Sequence, residues 1–233
     1  MSSESNISIT LDPTCTTLDL STWPLDQITK LDFSQFKQLE ELNISRLGLT
    51  QLPRKLPITL KKLICPKNNF KSNDSLLELA SLINLEYLNC SKCELLSLNY
   101  LPPNLKILIC QNNNITSLDN LPSNLIILVC SVNLLTHINY LPFGLKQLYC
   151  GYNNLKELPN LPPQLKLLDC PRCIIKNLDN IPDSLETVYC PNNLITKFAR
   201  LPVNLKELAC FGNPFIYTFA PTIRNIEEAL CEY

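Results

Sequence analysis

The side chains in this sequence that could do chemistry are its cysteines. Twelve occur in 233 residues. Two pairs, Cys90 with Cys93 in CSKC and Cys170 with Cys173 in CPRC, have the C-x-x-C spacing of a zinc half-site. The one histidine, His137, is the only imidazole that could activate a cysteine nucleophile. Zinc binding, disulfide formation and thiol catalysis are therefore the chemistries to test. Which of them survives depends on where the chain puts these residues.

The positions are set by a period of 20 residues. Leu101–Asn120 reads LPPNLKILICQNNNITSLDN, and near-copies follow as LPSNLIILVCSVNLLTHINY, LPFGLKQLYCGYNNLKELPN, LPPQLKLLDCPRCIIKNLDN and IPDSLETVYCPNNLITKFAR. Looser copies begin at Cys15, Leu39, Leu60 and Leu85, with periods of 24, 21 and 25, and strict copies run from Leu85 to Leu205, ten in all. The shared pattern is L-x-x-L-x-C-x-x-N-x-[LI], with substitutions in individual copies. Alternation across L-K-I-L-I-C predicts a short strand in every copy, with Leu105, Leu108 and Cys110 pointing inward. Leu-Pro or Ile-Pro pairs, from Leu101-Pro102 to Leu201-Pro202, predict an extended, polyproline-like back. The longer early copies leave room for short helices: one opened by Pro24, another through SLLELASL capped by Ser72, Asn73 or Asp74.

Columns then decide the chemistry. Cys65, Cys90, Cys110, Cys130, Cys150, Cys170, Cys190 and Cys210 occupy one inward column and read as small core hydrophobes. The two C-x-x-C pairs fall in identical slots four coils apart. Strands about 4.8 Å apart put them roughly 19 Å from each other, too far to share an ion. Cys93 and Cys173 stand where other copies have asparagine, whose amide should satisfy backbone groups at the strand end. His137 shares a polar column with Ser97, Ser117 and Asn177, away from the cysteines. No enzyme, metal site or cofactor is expected, a cysteine-based metal protein or enzyme remaining the minor alternative.

The motif resembles the leucine-rich repeat, with cysteine in the third apolar slot. The 20-residue copies are similar to repeats of bacterial effectors that act inside eukaryotic cells and to repeat proteins of giant DNA viruses of amoebae. Some such effectors carry a ubiquitin-ligase domain, for which this chain has no room. The resemblance implies an α/β solenoid, a curved right-handed coil with a parallel sheet on the concave face and few short helices. It also implies a protein-protein interaction scaffold, with a host-directed effector as its more specific form. The domains expected are an N-terminal cap segment over 1–14, with Ile7, Ile9 and Leu11 alternating as an edge strand, the solenoid over 15–221, and a capping helix over 222–233.

Lysine plus arginine numbers 20 against 21 acidic residues, net charge -1, which gives no field for nucleic acid or an anionic membrane. No 18-residue apolar run or signal peptide is legible, so a cytoplasmic site is expected, the host cytoplasm for a viral or secreted effector. The expected partner is another protein, with a homodimer as the rival. The binding residues expected are the outward, unusually apolar strand positions Tyr87, Ile107, Ile109, Ile127, Val129, Tyr149, Leu167 and Tyr189, with Tyr152 beside them. Lys106, Lys146, Lys166 and Lys206 should line one margin. Lys61, Lys62, Lys67 and Lys92 form a smaller basic spot.

Overall fold

The computed structural model describes residues 11–216 and 219–231, the side chain of 231 excepted. Ten three-residue strands form one parallel sheet in chain order. They are β1 (Thr17–Asp19), β2 (Glu41–Asn43), β3 (Lys62–Ile64), β4 (Tyr87–Asn89), β5 (Ile107–Ile109), β6 (Ile127–Val129), β7 (Gln147–Tyr149), β8 (Leu167–Asp169), β9 (Thr187–Tyr189) and β10 (Glu207–Ala209). Pairing is in register, Leu88 to Leu108 to Leu128 to Leu148 to Leu168. The middle residue of β2 to β9 is buried while its two neighbours are largely half-buried. A single coil has nothing of its own to bury these leucines against, so stability comes from stacking each on the next.

The cysteines continue the ladder one residue past the strands. Cys110 N–H donates to the Val129 carbonyl at 2.8 Å and Cys130 N–H to that of Tyr149 at 2.8 Å. The asparagine two slots beyond the next residue ties adjacent coils together. Asn133 Nδ2 donates to the carbonyls of Cys110 (3.1 Å) and Cys130 (2.9 Å), while its Oδ1 accepts from Ile115 N–H of the preceding coil at 3.1 Å. Asn68, Asn113, Asn153 and Asn193 repeat the pattern and are likewise buried. Leucine could supply neither the donors nor the acceptor.

The 20-residue coils have no helix on their backs. There, Pro102 and its counterparts have a use beyond stiffening the chain: the Pro102, Pro122 and Pro142 carbonyls accept from Leu105, Leu125 and Leu145 N–H, closing the turn that enters each strand. The longer early coils place α1 (Leu25–Ile28), preceded by Pro24, and two 3-10 turns, Phe33–Gln35 and Leu77–Ser81, on the back. Phe33 and Phe36 fill the wider interior there. The Leu77–Ser81 turn corrects the capping expectation. Leu76 precedes it without a side-chain cap, and the Asp74 carboxylate instead accepts from the Tyr100 hydroxyl at 3.0 Å. Helix α2 (Ile223–Cys231) follows the last coil, with Ile226 fully buried against the core. The edge strand expected through Ile7 and Ile9 lies outside the described residues.

Candidate functional site

The inward columns are consumed by the core. Cys65 and the seven cysteines stacked after it are buried, and no disulfide joins any of the described cysteines. Burial pushes the Cys110 thiol up to about 12 and holds its neighbours well above the ordinary thiol range. Held largely in the thiol form and shielded from solvent, these cysteines are poor nucleophiles. Cys93 and Cys173 take the asparagine slot: Cys93 Sγ donates to the Cys65 carbonyl at 3.2 Å and Cys173 Sγ to that of Cys150 at 3.6 Å. His137 is exposed and interacts with Thr136 Oγ1 at 3.0 Å. Among the described residues, no group of His, Cys, Asp or Glu is arranged to hold a metal ion.

What remains is the concave sheet face. Strand register lines up Tyr87, Ile107, Ile127, Gln147 and Leu167 in one outward column, and Asn89, Ile109, Val129, Tyr149, Asp169 and Tyr189 in the next. Most are half-buried by their neighbours, and Tyr189 is 45% exposed. Tyr152 is placed differently from the rest. It lies past the strand, 50% exposed, in the turn that leaves the sheet.

That turn was not legible beforehand. Arg46, Lys67, Lys92, Asn112, Val132, Tyr152, Arg172 and Asn192 occupy one column in the left-handed region, with φ between 50° and 61°. Asparagine and glycine tolerate this conformation, and a β-branched residue is a true outlier there. The signal was present in Asn112, Asn192 and Gly212. Val132, with φ 58° and 41% exposed, pays the conformational cost while presenting its side chain to solvent. Leu134, Ile174 and Leu194, also exposed, extend the apolar surface along this rim, in a slot where Asn114 and Asn154 stand in other coils.

Gly151, on the same turn, has a steric reason for having no side chain. A Cβ there would lie 2.4 Å from the Pro171 ring of the next coil.

The charged margin is largely self-neutralised. Lys106 pairs with Glu86 at 2.9 Å, while Lys166 and Lys206 share Glu186 at 2.7 and 2.6 Å. The two lysines hold the Glu186 carboxyl down to about 2 through hydrogen bonds and charge. Lys146 alone of the four makes no ion pair among the described residues. The basic spot expected near the N-terminus is corrected in the same way. Lys61 pairs with Glu40 at 2.7 Å and Lys62 with Glu41 at 3.1 Å, which leaves Lys67 and Lys92. A cavity of about 640 Å³ on the opposite, convex side is lined by Leu25, Ile28, Leu52, Arg54 and Lys55. It is remote from this face.

Ten parallel strands, one per coil, with the leucine, cysteine and asparagine columns turned inward, define a leucine-rich-repeat protein. Its particular likeness is to bacterial effectors. YopM from Yersinia enterocolitica is 33% identical with a TM-score of 0.71 over 78% of this chain and 39% of its own. YopM from Yersinia pestis, a leucine-rich effector protein, is 28% identical with a TM-score of 0.73 over 80% of this chain and 52% of its own. A Shigella effector leucine-rich-repeat domain is 27% identical, with a TM-score of 0.59 over 72% of this chain and 75% of that domain. The chain thus spans about half or less of the two YopM proteins. No protein-family model and no curated protein matches it.

Proposed function

We propose that the protein is a non-enzymatic interaction scaffold that binds a partner protein through its concave face, with Ile107, Ile109, Ile127, Val129 and Tyr149 at the centre and Tyr87, Leu167, Tyr152 and Tyr189 around them. The observation that carries this is Val132. A strained, exposed, β-branched residue stands beside an apolar sheet face, in a turn column where Asn112 and Asn192 adopt the same conformation with less strain. Backbone strain and exposed apolar surface together mark a surface that gains from being covered. The core thiols are buried and poor nucleophiles, and a net charge of -1 with internally paired lysines gives no overall field favouring nucleic acid or membrane. No helix among the described residues is long and apolar enough to cross a membrane. Kinship in sequence and shape with the Yersinia and Shigella effectors supports a host-directed role in the cytoplasm of another cell.

A photo-crosslinking amino acid tests the surface when placed at Ile127 and, as a control, at Asn177 on the polar, solvent-facing column. In eukaryotic cytosol, position 127 should give discrete adducts with another protein and position 177 none. Adducts from 177 only, or from neither, would overturn the reading. An adduct of twice the chain's mass, with a dimer by light scattering, would establish the rival, a self-associating structural protein that uses the same apolar face.

A further inference from the structure

Asp169 does not fit an apolar patch. Strand register sets it between Tyr149 and Tyr189 on the outward face, with Leu167 two residues before it on the same strand and face. Neighbouring strands are about 4.8 Å apart, which brings both rings within reach of its carboxylate. Asp169 is half-buried, yet its side chain makes no hydrogen bond or ion pair among the described residues. Most other acids on this side of the coil are engaged, the exposed Glu207 of β10 being the exception. Glu40, Glu41, Glu86 and Glu186 each hold a lysine, and Asp19 accepts from Ser21 N–H and Asn43 Nδ2. The two nearest cations in sequence are engaged elsewhere, Lys166 with Glu186 and Arg172 over the ring of Tyr152, and the Tyr149 hydroxyl is directed at Gln147 Oε1, 3.4 Å away.

The result is a carboxylate with free lone pairs, flanked in register by a tyrosine on each neighbouring strand. A guanidinium answers both features, because its planar fork meets a carboxylate with two parallel hydrogen bonds while its faces stack on aromatic rings. An ammonium answers only the charge. We propose that Asp169, Tyr149 and Tyr189 form a seat for an arginine side chain of the partner protein, next to the apolar centre of the concave face. The proposal rests on the concave face being the binding surface. Two to three strand spacings separate Asp169 from Val129 and Ile109, roughly 10–14 Å. In an extended partner segment, an apolar anchor for those residues then lies about four residues from the arginine. Burial, which raises the Asp169 carboxyl above its ordinary range, is a cost to the free protein that a guanidinium would relieve.

A display library of random linear 12-residue peptides, selected on the full chain, is the test. Enriched peptides are re-measured against Ile127→Asp and Asp169→Asn, both checked for native circular dichroism and cooperative unfolding. The expected result is peptides with an arginine about four residues from an apolar side chain. Their affinity should fall at least tenfold with Asp169→Asn, and likewise when the peptide arginine is replaced by lysine. Peptides that need Ile127 but carry no cation and bind Asp169→Asn equally well would overturn the arginine seat and leave the concave scaffold standing. Failure to select any Ile127-dependent peptide would overturn both.

Discussion

The guanidinium carbon of Arg172 lies 5.5 Å from the ring centroid of Tyr152 in the preceding coil. Both residues sit in the left-handed turn column, so their side chains leave the sheet together and stack along its rim. A cation-π contact at an exposed site is worth about 0.5–1 kcal/mol. Its larger consequence is positional: Arg172 spends its charge on the rim and leaves Asp169, three residues before it, unpaired on the face.

That unpaired carboxylate makes stability depend on pH in a definite direction. Burial raises the Asp169 pKa in the folded chain above its unfolded value, so the folded state carries a penalty at pH above the raised value. The penalty is lost as pH falls through it, and is gone below the ordinary carboxylate range. Asp169→Asn should therefore be more stable than the wild type in urea at pH 7. The advantage should shrink to nothing as the comparison is repeated at falling pH, and a difference independent of pH would refute the assignment.

Cys173 is the weak rung in the asparagine ladder. Its sulfur faces the backbone amides of Asn153 and Leu155, where an asparagine Oδ1 would accept as Asn153 does from Leu135 N–H at 3.0 Å. Its thiol is a poor donor to the Cys150 carbonyl. Cys173→Asn should gain about 1 kcal/mol from restored hydrogen bonds, read as a raised urea midpoint at unchanged slope. By the same logic Asn133→Leu strands the Ile115 N–H and removes one of the two amide donors to each of the Cys110 and Cys130 carbonyls, and should cost about 2 kcal/mol.

Val132→Asn should stabilise the chain by about 1 kcal/mol, since the left-handed conformation that penalises a β-branched residue is natural to asparagine. Thermal unfolding measures the gain, about 2–4 °C for a chain of this size. The same variant should bind the selected peptides more weakly. A variant that is less stable than the wild type would mean that Val132 packs better than its exposure implies.

Thiol labelling separates core cysteines from reactive ones. Cys110 is pushed up to about 12 and Cys93 to about 11 by burial, whereas Cys15 is only partly covered. At pH 8 a thiol reagent followed by mass mapping should modify Cys15 in the native protein and reach Cys65 to Cys210 only with unfolding. Native labelling of Cys170 or Cys173 at a rate near that of Cys15 would reopen the metal and nucleophile readings.

The sequence alone determined the coil. A strict 20-residue period allows only one register, because every inward slot must meet its copy in the next coil, and the columns of leucine, cysteine and asparagine follow from that arithmetic. The outward columns were legible for the same reason, so Ile107, Ile127, Ile109 and Val129 could be placed on one face from spacing alone. Tertiary structure decided what the period cannot encode, namely which charges cancel and which backbone angles strain. Lys61 and Lys62 read as a basic spot until stacking placed Glu40 and Glu41 beside them. Val132 read as one more apolar residue until its turn proved left-handed. Asp169 was a single acid in a list of outward positions. Only the three-dimensional arrangement, with Arg172 diverted to Tyr152 and a tyrosine on each neighbouring strand, leaves its carboxylate open to a partner.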